Sequence, residues 1–238
     1  MSDSCILMTA TIQPNTVMVE RSDVQQRLSD YKNCIKFYLA EVNLPIYFIE
    51  NSEFELDTDL DFMEFNKSKR FKIIKIKALP DKEKGKGYQE FYALDRAIDE
   101  FVKESFVLKV TGRYLVRNIS SLVPKMTHPL NIDMHKKMAV AITGFFGVSK
   151  SVYQKHFKGL YANVNDSQGI FIEHVLYREI ISTDLINLTS LLPENPEYEG
   201  ISGSHGHSMK RNKYKMKVRG LERKISNSLG IRQFLIEY

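Results

Sequence analysis

Short apolar runs alternate with amphipathic helical segments along the first half of the chain. Residues 5–11 and 44–49 are predicted as buried strands, and residues 28–42 carry apolar side chains at helical spacing between them. Ser22 and Gln25 form an S-x-x-Q capping box that predicts the start of this helix. A strand, a helix and a strand in this order predict a parallel pair joined by a crossover helix. The pattern therefore restricts the chain to an α/β fold.

The alternation continues beyond this first unit. The patterns predict strands at 71–78, 105–110 and 138–143, and helices at 91–102, at 169–181 and from Ser149 onward. We expect a Rossmann-type, mostly parallel sheet flanked by helices.

The amino-acid composition argues against several classes of protein. Hydrophobic residues make up 43% and charged residues 26% of the 238 residues, which is ordinary for a globular chain. Cys5 and Cys34 are the only cysteines and form no CxxC pair, so neither a disulfide scaffold nor a cysteine-rich zinc site is expected. The sequence shows no apolar stretch of about 20 residues and no signal peptide, which favours the cytoplasm.

Positive charge is concentrated near the C-terminus. Residues 210–224 carry a net charge of +7, whereas the formal net charge of the whole chain is +5. The rest of the chain is therefore slightly negative. The basic residues are Lys210, Arg211, Lys213, Lys215, Lys217, Arg219, Arg223 and Lys224. We therefore divide the chain into a domain over 1–209 and a basic, helical C-terminal arm over 210–238. Such an arm suggests an anionic partner, and the alternative is a solvated helix face.

Polar and basic residues follow the predicted strands, at the edge where open parallel sheets bind their ligands. They are Thr9, Ala10 and Thr11 after the first strand, Glu50 after the second, Lys86, Gly87 and Glu90 after the third, and Lys109 and Arg113 at the end of the fourth. Their convergence on one rim predicts a site for a phosphorylated ligand.

Two of these segments allow a second interpretation. The glycine-rich loop before the helix at 91–102 predicts an anion site at a helix N-terminus, but a surface turn explains it equally well. Lys109 and Arg113 are predicted to clamp a diphosphate, with a structural ion pair as the alternative.

Candidate catalytic residues lie in the second half of the chain. Glu173 begins a predicted helix, where a carboxylate is favoured by the helix dipole and can also serve as a general base; Glu179 is its nearest competitor. His205 and His207 occupy a glycine-rich loop without metal-ligand spacing, which favours a loop that covers a ligand.

Several of these segments together resemble one family. ILMTATIQP, PIYFIENSE, GKGYQE and LKVTGRYLVRNI, followed by FFGVSKSVY, FIEHVLY and GISGSHG, resemble bacterial glycosyltransferases that build O-antigen and capsular polysaccharides. The resemblance covers roughly residues 4–210 and implies a GT-A-type fold, with a nucleotide-sugar half at about 1–120 and an acceptor half at about 121–209.

The resemblance also implies roles for the candidate residues. Thr9, Ala10, Thr11 and Glu50 would line the nucleotide pocket, with Lys86, Gly87 and Glu90 beside the donor, Glu173 as the acceptor-side base, and His205 and His207 in a closing loop. Lys109 and Arg113 would stand where related enzymes carry a metal-binding DxD, and would neutralise the leaving diphosphate. No cofactor is predicted, and a divalent metal stays open.

The implied activity is inverting transfer of a sugar, galactosyl or galactofuranosyl in similar domains, from a UDP-sugar. The implied acceptor is a glycan on a lipid carrier. The basic arm would then hold the enzyme peripherally at the anionic inner face of the plasma membrane.

Two alternatives stay open. One is a nucleic-acid-binding protein that uses the arm, although Tyr214 is the only aromatic residue within its basic segment at 210–224 and no nucleic-acid-binding motif is present. The other is a sugar-phosphate nucleotidyltransferase, whose chemistry usually requires carboxylates that hold Mg²⁺.

Overall fold

The computed structural model describes residues 3–15 and 20–201, together with residues 208, 220 and 223. The strands are β1 Ser4–Ala10, β2 Ile46–Glu50, β3 Phe71–Lys75, β4 Phe106–Thr111, β5 Leu115–Val116, β6 Leu130–Asn131, β7 Met134–His135, β8 Val140–Ala141, β9 Phe145–Ser149, β10 Thr189–Ser190 and β11 Tyr198–Glu199. The α-helices are α1 Val24–Glu41, α2 Leu60–Phe65, α3 Lys86–Glu100, α4 Ile119–Leu122, α5 Lys150–Val152 and α6 Ile172–Ser182. Short 3₁₀ turns span Lys82–Lys84, Val123–Lys125, Leu160–Asn163, Asp166–Gln168 and Asp184–Leu188, and a π-helical turn spans Tyr153–Phe157.

Within the described residues, seven strands form one sheet in the order β10-β6-β9-β4-β1-β2-β3. β1 lies parallel to both β2 and β4, and β2 lies parallel to β3. β9 runs antiparallel to β4 and β6, and β10 is parallel to β6. The expected mostly parallel α/β sheet is confirmed.

Helices cover both faces of the sheet, because alternate residues of a strand point to opposite sides. Leu7 of β1 packs in a core with Phe91 and Leu94 of α3 and with Leu176 of α6. Ile6 and Met8 belong to the opposite core, together with Tyr31, Ile35 and Tyr38 of α1 and Phe62 of α2. β1 is fully buried at the centre of the sheet and directs its C-terminal end toward the candidate site.

The first helix begins one residue later than its capping box predicted. Asp23 is the N-cap, and its carboxylate accepts a hydrogen bond of 2.7 Å from the backbone N–H of Gln26. Ser22 precedes the cap. Asp is as good an N-cap residue as Ser, so the shift by one residue does not weaken the cap.

The strand predicted at 138–143 is wrong. Met138 is 60% exposed, Ala139 has a φ of 53°, and β8 pairs with β7 in a small separate hairpin. The strand that enters the sheet is β9, which follows directly. Gly147 lies at the centre of β9, and a Cβ there would lie 2.8 Å from the Met126 sulfur, so this glycine permits close packing over the strand.

Only Gly220 and Arg223 of the basic arm are among the described residues; the other basic residues of the arm lie outside them, as do His205 and His207. Arg223 is buried against the domain, where its guanidinium bonds Asp133 at 2.7 and 3.0 Å and Asn195 at 2.8 Å. Its charge is therefore neutralised by Asp133. The prediction that it faces a lipid surface is wrong for this one residue.

Among the helices of the described ranges, none combines the length and hydrophobicity needed to cross a lipid bilayer.

Asp95 of α3 predicts a pH dependence of stability. Its carboxylate accepts hydrogen bonds from the Tyr153 hydroxyl at 2.7 Å and the Gly159 amide at 2.8 Å, yet burial raises its pKa to about 6. Because the native pKa exceeds the unfolded value of about 3.9, the contribution of Asp95 is fully present below about pH 4 and is lost as the pH rises through 6. We expect the free energy of unfolding to fall by on the order of 2–3 kcal/mol between pH 4 and 7 from this group alone.

Urea unfolding from pH 4 to 7 measures this dependence. Asp95→Asn cannot titrate, so its stability should fall less over that interval. Glu64→Gln, which removes an exposed carboxylate, should leave the wild-type slope unchanged. Equal slopes for wild type and Asp95→Asn would contradict the prediction.

Candidate active site

A cleft of about 1010 Å³ opens at the carboxyl ends of β1, β2 and β4. Its walls come from the segments that follow these strands, from the first turns of α3 and from the first turn of α6. The predicted residues that line it are Thr9, Ala10, Thr11, Lys86, Glu90, Arg113 and Glu173. Such a volume is at the upper end of the range of small-molecule sites.

Three predicted residues lie behind the cleft wall rather than on it: Glu50, Gly87 and Lys109. The Glu50 carboxylate accepts hydrogen bonds from the amides of Ile12, at 3.1 Å, and of Ser52, at 2.9 Å, and from the Ser52 hydroxyl. Burial raises its pKa above the ordinary value despite these bonds. Glu50 therefore fixes the two loops that shape the nearby wall.

The glycine-rich loop is explained by packing. Gly85 has a φ of 90°, and a Cβ on it would lie 2.0 Å from the Asp166 carboxylate. A Cβ on Gly87 would lie 2.8 Å from Ile172, so Gly87 lets α3 approach α6 closely. Asp166 accepts a 3.0 Å hydrogen bond from the amide of Lys86. The helix N-terminus predicted to bind an external anion therefore holds a carboxylate of the chain itself.

Lys109 and Glu90 form an ion pair beneath the cleft. The Lys109 ammonium lies 2.7 Å from Glu90 Oε1 and 2.7 Å from the Thr143 carbonyl oxygen, and the side chain is 1% exposed. The Thr9 hydroxyl donates to the same Glu90 oxygen. Burial acts to raise the pKa of Glu90, but Lys109 and Thr9 outweigh it and hold this pKa below its ordinary value. The structure thus places Lys109 in an ion pair, the alternative that the sequence left open.

Two buried arginines flank Tyr31 at one side of the cleft. Arg113 is 9% exposed; its Nη1 donates to the Ile201 carbonyl oxygen at 3.2 Å, and its Nε has no partner among the described residues. Arg27 is 4% exposed and donates to the Thr11 carbonyl oxygen at 2.7 Å and the Tyr31 hydroxyl at 3.1 Å.

Within the described ranges, neither arginine forms an ion pair with a carboxylate. This part of the wall is therefore electropositive and suited to an anion. Arg113 was predicted from the sequence, whereas Arg27 was not. Its signal was an arginine four residues before Tyr31, on the buried face of α1.

Glu173 also lines the cleft. It lies in the first turn of α6, and the Thr143 hydroxyl donates to its Oε1 at 2.8 Å. Its carboxylate helps to raise the pKa of Asp166, for which burial is the larger cause. A partly exposed carboxylate oriented by a hydrogen bond can accept a proton from a bound hydroxyl.

The end of β4 does not fit a divalent cation. Hard cations such as Mg²⁺ require oxygen ligands, whereas this position holds the Lys109 ammonium, paired with Glu90, and the Arg113 guanidinium. In the described part of the chain, no group of three or more His, Cys, Asp and Glu residues is arranged to hold a metal ion.

Neither a protein-family model nor a curated protein matches this chain in sequence. Solved structures do match its fold. A candidate nucleotide-diphospho-sugar transferase from Desulfovibrio desulfuricans G20 aligns over 100% of both chains with a TM-score of 0.51 and 13% identity. The galactosyltransferase LgtC, solved with donor and acceptor sugar analogs, aligns over 78% of this chain and 72% of its own, with a TM-score of 0.48 and 8% identity. A cytidylyltransferase from Leptospira borgpetersenii aligns over 99% of both chains, with a TM-score of 0.46 and 9% identity.

At these identities the likeness concerns the fold alone. The alignment over both full chains, together with the mostly parallel seven-stranded sheet, identifies the α/β fold of GT-A-like nucleotide-sugar transferases. The fold class predicted from the sequence is confirmed.

Proposed function

We propose that the protein transfers a sugar from a nucleoside diphosphate donor to a hydroxyl group of a glycan acceptor. The observation that carries this proposal is Arg113: a buried guanidinium on the cleft wall with a free Nε and no contacting carboxylate among the described residues. Burying a cation in this way is costly unless an anion completes the site. The diphosphate of a nucleotide sugar supplies such an anion.

The chemistry follows from the arginines and the carboxylate that line the cleft. Glu173 accepts the proton of the acceptor hydroxyl while its oxygen attacks the anomeric carbon. The bond between that carbon and the phosphate oxygen breaks, and its electron pair leaves with the nucleoside diphosphate. Arg113, with Arg27 beside it, stabilises the charge that develops on this leaving group. One displacement of this kind inverts the anomeric configuration.

The finer identity of the substrates is part of the same proposal. A UDP-hexose, galactosyl or galactofuranosyl, is the proposed donor, and a growing surface polysaccharide on a lipid carrier is the proposed acceptor. This rests on the sequence resemblance to O-antigen and capsule transferases. We assign Thr9, Ala10 and Thr11 to binding of the nucleotide. Lys86 and Glu90 are assigned to the surroundings of the donor. His205 and His207, which lie outside the described residues, are assigned to a closing loop.

Calorimetric titration with UDP in the presence of EDTA tests the proposal. We expect Arg113→Ala to weaken UDP binding about 30- to 150-fold, the effect of losing a hydrogen-bonded charge worth about 2–3 kcal/mol. Arg96→Ala, which removes an exposed arginine paired with Glu100, should bind UDP as the wild type does.

Three results would contradict the proposal. If Arg113→Ala fails to fold, as judged by circular dichroism, the arginine has a structural role. If the wild type binds CTP and not UDP, the sugar-phosphate nucleotidyltransferase is the better reading; binding of single-stranded oligonucleotides alone would favour the nucleic-acid alternative.

The basic arm leads to a separate prediction about location. Seven of the eight basic residues at 210–224 lie outside the described part of the chain, and we propose that they attract anionic lipid at the membrane surface, at about 1 kcal/mol each. Replacing Lys213, Lys215, Lys217 and Arg219 with Gln should release the protein from phosphatidylserine vesicles in a sedimentation assay. Wild-type binding should weaken as salt rises and be absent with phosphatidylcholine vesicles. Salt-independent binding, or binding by the quadruple variant, would contradict this role.

A further inference from the structure

An aromatic wall faces the cleft next to the proposed base. Tyr114, Gly144 and Tyr198 line the cleft together with Thr143 and Glu173. The two tyrosine rings meet edge to face, with centroids 6.2 Å apart and an angle of 73° between their planes. Because Thr143 precedes Gly144 and bonds Glu173 at 2.8 Å, the aromatic wall and the carboxylate belong to one end of the cleft.

The backbone around these tyrosines is held from several directions. β5, which follows Tyr114, pairs antiparallel with β11, which carries Tyr198. The buried Tyr38 hydroxyl donates to the Tyr114 carbonyl oxygen at 2.7 Å and accepts from the Val116 amide at 3.0 Å. A bidentate ion pair between Arg117 and Glu199 joins the same two strands. The wall is therefore formed before any ligand binds, as recognition surfaces require.

Gly144 keeps the space in front of this wall open. A methyl group placed on it would lie 3.6 Å from the Tyr198 hydroxyl oxygen and 3.7 Å from the Tyr114 ring, both ordinary contact distances. The fold itself therefore tolerates alanine at this position. Gly144 lies near two aromatic rings and the proposed base, and the fold does not require a glycine there. Its missing side chain leaves room for a ligand.

We infer that Tyr114, Tyr198 and Gly144 form the subsite for the sugar ring of the acceptor. The apolar C–H face of the ring packs against Tyr114, and a ring hydroxyl points to Glu173, since one wall supplies an apolar surface and its neighbour a proton acceptor. This inference rests on the proposed function and assigns the sugar ring of its glycan acceptor to named residues of the cleft.

Saturation-transfer NMR on the UDP-saturated protein tests it with a panel of methyl hexopyranosides and hexofuranosides as probes. We expect at least one glycoside to bind, Tyr114→Leu to weaken it about tenfold or more, and Tyr114→Phe to change it by less than about twofold. Gly144→Ala should weaken the same glycoside while the Kd for UDP stays at the wild-type value.

The outcomes separate the two proposals. If UDP binds and no glycoside does, or if Tyr114→Leu and Gly144→Ala bind the glycoside like wild type, the subsite is overturned and the donor site stands. If UDP itself does not bind, the proposed function fails and the subsite fails with it. Should Tyr114→Leu not fold, Gly144→Ala decides the result, because its methyl group fits the fold.

Discussion

Replacing Lys109 with methionine is expected to lower the free energy of unfolding by about 3 kcal/mol or more. The Lys109 ammonium contacts Glu90 and the Thr143 carbonyl oxygen, and its side chain is almost fully buried. Methionine has a similar volume but leaves the Glu90 carboxylate without its cation in a largely desolvated position. Removing one partner of a buried pair costs more than the pair itself contributes.

Urea unfolding of four proteins measures the effect. The double variant Glu90→Gln/Lys109→Met should recover much of the stability that the single variant loses, since no unpaired charge remains. Lys75→Met, which breaks an exposed ion pair with Asp57, should change the stability by less than about 1 kcal/mol. A Lys109→Met variant as stable as the wild type would show that the pair has no structural role.

Glu173→Gln is expected to reduce turnover about 10²- to 10⁴-fold, the usual contribution of a general base. Glutamine keeps the size of the side chain and can still accept the hydrogen bond from Thr143, but it cannot take a proton from the acceptor. Because the donor diphosphate is assigned to Arg113 and Arg27 and not to Glu173, the Kd for UDP should stay within about twofold of wild type.

Release of UDP from UDP-galactose with a glycan acceptor measures turnover, and calorimetry measures the Kd. Glu179→Gln is the matched control, because Glu179 lies on the same helix and contacts His156 at 3.0 Å, away from the cleft lining. It should retain wild-type turnover. If Glu179→Gln is inactive while Glu173→Gln is active, the base has been assigned to the wrong carboxylate.

The sequence predicted the part of the fold that depends on local patterns. Strands β1 to β4 and helices α1, α3 and α6 follow from apolar periodicity, and the rim at the strand ends follows from parallel topology. β9 was missed because an antiparallel strand with a central glycine resembles a turn. Its identity as a strand depends on Phe106 and Met126, which are distant in sequence.

The sequence predicted which residues lie at the site better than it predicted what each of them does. Arg113 and Glu173 line the cleft, whereas Lys109 is neutralised by Glu90, nineteen positions earlier in the chain. Asp166 caps the start of α3 from eighty residues away, and no local signal marks such a contact. Long-range pairings of charged side chains decide which of them remain available to a ligand, and periodicity does not contain this information.

The Arg223–Asp133 pair also sets an order of events during synthesis. Its two members are ninety residues apart, and Asp133 additionally accepts a hydrogen bond from the Leu192 amide. At about 5–20 residues per second, the ribosome releases Asp133 roughly 5–20 s before Arg223. During this interval the carboxylate next to β6 has no cation from Arg223, while β1 to β4 and their helices are already available to pair. The half of the sheet around β1 can therefore assemble first, and Asp133 gains its buried cation only after Arg223 has been synthesised.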